Sequence, residues 1–132
     1  MTTASRSQAY HVWLSTKKRE SVLVAEIRDL VLNEFARIAS ERSIRILAVE
    51  AIEDHVHLLI DLHQGQALAS VMHDLKGASA RKVLLTYPEL RLDMHSNSFW
   101  QQSYGSRPVP PSQVRMVRRY IQTQDKRPLR RE

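Results

Sequence analysis

Two runs of apolar residues, Ile44–Ile52 and His55–Leu62, are separated by only two residues, Glu53 and Asp54. A connection that short reverses the chain as a tight hairpin, so the runs must pair antiparallel. The pairing then counts outward from the turn, with Ile52 opposite His55 and Glu50 opposite His57. Because side chains alternate along a strand, Val56, Leu58, Ile60 and Leu62 share one face. His55, His57, Leu59 and Asp61 share the other.

Helical periods flank this hairpin. From about Val22 to Arg42 the positions Ile27, Leu30, Val31, Phe35 and Ile38 recur at helical spacing, and from Ala67 to about Leu85 so do Leu68, Val71, Met72, Leu75 and Val83. Tyr10–Thr16 alternates as a strand before the first helix, and Phe99–Val109 carries one or two short strands around Gly105. Pro110-Pro111 ends that segment, and Pro111 suits the first turn of a last helix running to about Gln124. The order β-α-β-β-α-β, plus a further short strand and a closing helix, predicts an α+β, ferredoxin-like (split βαβ) antiparallel sheet with helices packed on it.

At 132 residues the chain reads as one domain over 1–132, with 1–8 and 126–132 expected to be flexible. No apolar run approaches a membrane span and no secretory signal is visible, so no membrane partner is expected. The absence of cysteine removes disulfides and thiolate metal sites, and three glycines are too few for a phosphate-cradling loop. The net charge of +6 points to a polyanion, nucleic acid being the commonest, although small soluble proteins are often basic without binding it.

The chemistry-bearing residues fall in two places. His55-Val56-His57 sends two imidazoles to one side of a strand. Such a triplet is either hydrogen-bonded filler on a half-buried strand or a pair of metal ligands. A carboxylate at Glu50, opposite His57, would orient that ring. On the last helix Val114, Val117 and Ile121 form the buried stripe, with Tyr120 and Gln124 together on its shoulder. Tyr120 either packs there or offers a phenol oxygen. Arg115, Arg118 and Arg119 lie mostly on the remaining faces, as a solvated surface or as phosphate contacts.

In order along the chain stand Tyr10-His11-Val12 with Ser15-Thr16-Lys17, Asp54-His55-Val56-His57-Leu58-Leu59, Leu75-Lys76-Gly77-Ala78-Ser79, Phe99-Trp100, Tyr104-Gly105 and Arg118-Arg119-Tyr120-Ile121-Gln122-Thr123-Gln124. Together they resemble the single-tyrosine HUH transposases of the insertion-sequence 200/605 type, over Tyr10 to Gln124. The chain departs from that pattern at Glu53, where family members often carry proline, and in the proline-rich Ser106–Pro111.

The resemblance implies an enzyme that cleaves and rejoins hairpin-ended single-stranded DNA through a 5′-phosphotyrosine link. Tyr120 would be the nucleophile, and His55, His57 and Gln124 would bind Mg²⁺ or Mn²⁺. Lys17, Lys18, Lys76 and Lys82 are candidate phosphate contacts, and Tyr10, Trp13 and Trp100 candidate stacking platforms, with core packing the alternative for the tryptophans. A structural, buried role is expected for His11. The resemblance further implies a homodimer in which one subunit's tyrosine helix completes the other's histidine pair. It places the protein in the cytoplasm, with the nucleoid of a bacterium or archaeon, and gives it no small-molecule substrate. Two other classes remain open: a domesticated, non-catalytic DNA binder of the same fold, and a metal hydrolase that uses water.

Overall fold

The computed structural model describes residues 7–94, 96 and 98–123. Four strands, β1 (Ser7–Ser15), β2 (Arg45–Ile52), β3 (His55–His63) and β4 (Gly105–Val109), make one antiparallel sheet in the order β2-β3-β1-β4. Helix α1 (Ala25–Arg42) links β1 to β2, and α2 (Leu68–Thr86) follows β3. A short helix α3 (Leu90–Asp93) precedes β4, and α4 (Val114–Gln122) closes the described chain. Since β3 lies antiparallel between β1 and β2, this is the expected split βαβ arrangement.

The hairpin turn is the predicted two residues, with Ile52 opposite His55 and Glu50 opposite His57. Glu53 takes a left-handed φ of 46° without being glycine, and its neighbours supply the compensation. The Leu23 amide donates to the Glu53 carbonyl at 2.7 Å, and the Thr16 amide to the Asp54 carbonyl at 2.9 Å. A turn of poor intrinsic chemistry is thus held by the segment between β1 and α1. Further from the turn, the register shifts between Ile46 and Ala48, a bulge that no turn-based count anticipates.

Two apolar layers result. The larger lies between the sheet and α1 and α2, and contains Val12, Leu14, Val31, Phe35, Val56, Leu58, Ile60 and Leu75, all buried. The smaller lies on the opposite face, where Ala9, Ala48, Leu59 and Val109 meet Val117 and Ile121 of α4. Burying an aliphatic side chain of that size contributes about 1.5–3 kcal/mol, so Val117 and Ile121 are the pair that seats α4. The alanines beneath let the helix approach closely.

Several details differ from expectation. Residues 7 and 8, expected to be loose, pair with His63 and Leu62. The first helix begins at Ala25 rather than Val22, because Leu23 bridges to Glu53. The further short strand reduces to a single bridge between Thr16 and Trp100. The last helix starts at Val114, after a 3₁₀ turn at Pro111–Gln113. Residues 126–132 and Gln124 lie outside the described residues.

Candidate active site

The odd-numbered residues of β1 and β3 face the α4 side, and they place four rings in a row. Centroids are 5.2 Å apart from Trp13 to His11, 5.2 Å from His11 to His57, and 5.1 Å from His57 to His55, the last pair perpendicular at 88°. Each histidine of the His55/His57 pair has its Nδ1 engaged. That of His55 lies 2.8 Å from Asp54 Oδ1, whose other oxygen is 3.4 Å from Arg19. That of His57 lies 3.0 Å from Nε2 of His11.

Two tautomer arrangements satisfy the His11–His57 contact. If His11 donates, neutral His57 carries its proton on Nε2 and cannot ligate there. If His57 donates, its Nε2 presents a bare lone pair, and the His11 proton moves to Nδ1. That Nδ1 atom is buried and is without a hydrogen-bond partner among the described residues. Burial, followed by the neighbouring His55 and His11, pushes the His57 pKa down to about 4. Burial and then Arg107 lower that of His11 as well. Near neutral pH these rings therefore stay uncharged, the protonation state that metal ligation requires.

Helix α4 packs over β2 and β3 of the same face. Ile121 and Val117 rest on Leu59, two residues beyond His57 on the same strand face. Tyr120 is 38% exposed beside that stripe, as helical projection predicts, so histidine pair and phenol share one side of the sheet. The exposed Arg115, Arg118 and Arg119 follow the same helix. Among the described residues no three His, Cys, Asp or Glu side chains form a metal-binding group. Two imidazoles with engaged Nδ1 atoms nevertheless suit the nitrogen part of a mixed nitrogen–oxygen set.

Glu50 stands opposite His57 as expected, but its carboxylate binds Arg28 at 2.9 Å, where α1 reaches the edge of β2. Asp61 pairs with Arg45 at 3.4 Å. The ring partners that the structure shows are instead Asp54 and His11. Asp54 was readable as the residue before His55. The contact of His11 depended on knowing which strand lies beside β3.

The expected DNA contacts divide between two regions. Tyr10 packs against the larger core, and Trp100 is buried with its indole N–H donating to Ser79 at 2.9 Å. Neither is a platform on the histidine face. Lys17 and Lys76 line a cleft of about 580 Å³ beside α2, together with Trp100 and Tyr104. Nζ of Lys76 there donates to the carbonyls of Gln101 and Gln102 at 2.9 and 2.8 Å. Lys82 lines a groove between α1 and α2, and Lys18 is exposed after β1. The α4 arginines, by contrast, belong to the helix that carries Tyr120.

Comparison with known proteins agrees with this fold. A family model described as "Transposase IS200 like" matches residues 4–124. The ISDra2 transposase TnpA of Deinococcus radiodurans is 32% identical over 115 residues, covering 87% of this chain and 82% of that protein. The transposase for insertion sequence element IS200 of Salmonella typhimurium is 26% identical over 95 residues, covering 72% of this chain and 62% of that protein. A crystal structure of a Deinococcus radiodurans R1 protein described as a transposase matches with a TM-score of 0.73 at 28% identity, over 93% of each chain. A REP-associated tyrosine transposase bound to a REP hairpin matches with a TM-score of 0.67 at 12% identity, over 96% of this chain and 72% of that one, a likeness of fold.

Proposed function

We propose that this chain, which belongs to the IS200-like transposase family, cleaves and rejoins single-stranded DNA at hairpin ends, with Tyr120 as nucleophile. Transposition of DNA is the work of the family; the strand chemistry is our reading of the site. The observation that carries it is the convergence of His55, His57 and the tyrosine helix on one sheet face.

The phenol oxygen of Tyr120 attacks the scissile phosphorus, forming a 5′-phosphotyrosine bond as the bond to the 3′-oxygen breaks. The phenol loses its proton, and the departing 3′-oxygen gains one. Because the phosphodiester energy is kept in the new link, a second 3′-hydroxyl can reverse the step and join strands without ATP. Asp54 and His11 hold the two imidazoles at their Nδ1 atoms, which orients the opposite ring nitrogens. His55 and His57, with Gln124 by resemblance, would hold Mg²⁺ or Mn²⁺, which supplies Lewis acidity at the phosphoryl oxygen. Arg115, Arg118 and Arg119 attract the backbone phosphates. A neighbour of the same fold is bound to a REP hairpin, which supports the hairpin substrate.

The working unit we propose is a homodimer. The contacts that seat α4 on its own sheet are equally available to the α4 of a second copy, so exchange of the helices preserves the constellation.

Trapping tests the reading. Incubated with Mn²⁺ and hairpin DNA bearing single-stranded flanks from its own element, the protein should form an SDS-resistant adduct. Tyr120→Phe should bind that DNA and form none. An undiminished adduct in the variant removes Tyr120 as nucleophile. Binding without any adduct in the native protein favours a non-catalytic DNA binder.

A further inference from the structure

Trp13 is the ring of the row that the proposed chemistry leaves unused. It pairs with His57 across β3 and with Gly105 across β4, and it is 40% exposed. A Cβ on Gly105 would fall inside the indole, so the ring lies across a glycine that has no side chain to lift it away. The rest of the ring borders a cavity of about 330 Å³, whose other walls are Ser15, Gln101, Ser103 and Tyr104.

That cavity has an aromatic wall and a rim of hydroxyl and amide groups. Its frame is anchored: the Gln101 amide donates to the Ser15 carbonyl at 2.9 Å, and its carbonyl accepts from Lys76 at 2.9 Å. A planar ligand with a hydrogen-bonding edge matches such a site, and a nucleobase is both. A base pair inside a duplex offers no free face to stack on the indole, so the site selects unpaired bases. Two ring steps of 5.2 Å separate Trp13 from His57, so a base stacked on the indole lies on the same face as the histidine pair and near it. Arg107, opposite His11 on β4, adds a cation on the same face.

We propose that Trp13 and the cavity between it and Tyr104 form a base subsite, which seats one unpaired base of single-stranded DNA beside the phosphate held at His55 and His57. The proposal rests on the DNA-cleaving reading above. It adds that the protein itself grips a nucleotide flanking the cleavage point.

Fluorescence tests it, because the other tryptophan, Trp100, is buried and bonded to Ser79. The full chain and its Trp13→Phe variant are titrated with a single-stranded DNA oligomer of about ten nucleotides, and the difference between their emissions isolates Trp13. Quenching of that emission on binding is expected. Trp13→Ala should weaken binding about 5- to 150-fold, the range for loss of one base–aromatic stack, while Trp13→Phe keeps most of the affinity. Should Trp13→Ala not fold, quenching in the native chain still decides. Binding with Trp13 emission unchanged overturns the subsite: the indole then only covers Gly105, and the DNA-cleaving reading stands. No binding of the oligomer overturns the subsite as well, and the trapping experiment with hairpin DNA decides the DNA-cleaving reading separately.

Discussion

Acidifying the metal-free protein should destabilise it through His57. The unfolded chain takes up a proton on that ring as pH falls through 6.5, whereas the folded chain refuses it until about 4. Between those values the unfolded state binds more protons, so stability drops as acid is added. For a single histidine shifted this far, the loss is about 2 kcal/mol by about pH 5 and about 3 kcal/mol by about pH 4. His11, shifted in the same direction, adds to it. Urea denaturation with a chelator present, followed by circular dichroism at several pH values from about 7 to 5, measures the slope before most carboxylates titrate. His57→Asn should lose His57's share and retain only that of His11. If His57→Asn shows the same decline as the native protein, the buried, neutral His57 is not the source of the acid sensitivity, and the electrostatic account of the site fails.

Other outcomes follow from the same contacts. His11→Ala should weaken Mn²⁺ binding about 10- to 100-fold in a calorimetric titration, because His57 loses the partner of its Nδ1; unchanged affinity would make His11 mere filling. Nitrogen-15 spectra should show His57 protonated on Nδ1 once metal is bound, and the opposite tautomer would count against ligation through Nε2. Ile121→Ala should cost about 2–5 kcal/mol if the cavity stays open, and should reduce adduct formation further than stability alone explains, since that side chain helps seat the tyrosine helix. Mixing His57→Ala with Tyr120→Phe subunits should restore some cleavage if the helices are exchanged between subunits, since one of the two sites then carries neither defect. No recovery, with heterodimers verified by mass, would keep each site within one chain.

Much of the architecture was legible because it depends on local counting. The two-residue connection at Glu53-Asp54 decides the pairing of β2 with β3, and hence Glu50 with His57, without reference to the rest of the molecule. Alternation puts His55 and His57 on the face opposite Val56, and the helical repeat puts Tyr120 on the shoulder of the Val117–Ile121 stripe. These periodicities are properties of the backbone, so a one-dimensional string suffices to read them.

What the string could not show is which strand becomes whose neighbour and where long side chains end. Insertion of β3 beside β1 brings His11 onto His57 from 46 residues away and sets Trp13 between His57 and Gly105. Arg28 of α1 takes up the Glu50 carboxylate that register alone had offered to His57. The left-handed Glu53 is held by bonds from the segment between β1 and α1, and the register shift between Ile46 and Ala48 follows from no count along the chain. Spacing along the chain therefore determined the faces on which the histidines and tyrosine lie. Packing of non-adjacent strands and helices decided their hydrogen-bond partners, because those contacts depend on three-dimensional neighbours that no local period encodes.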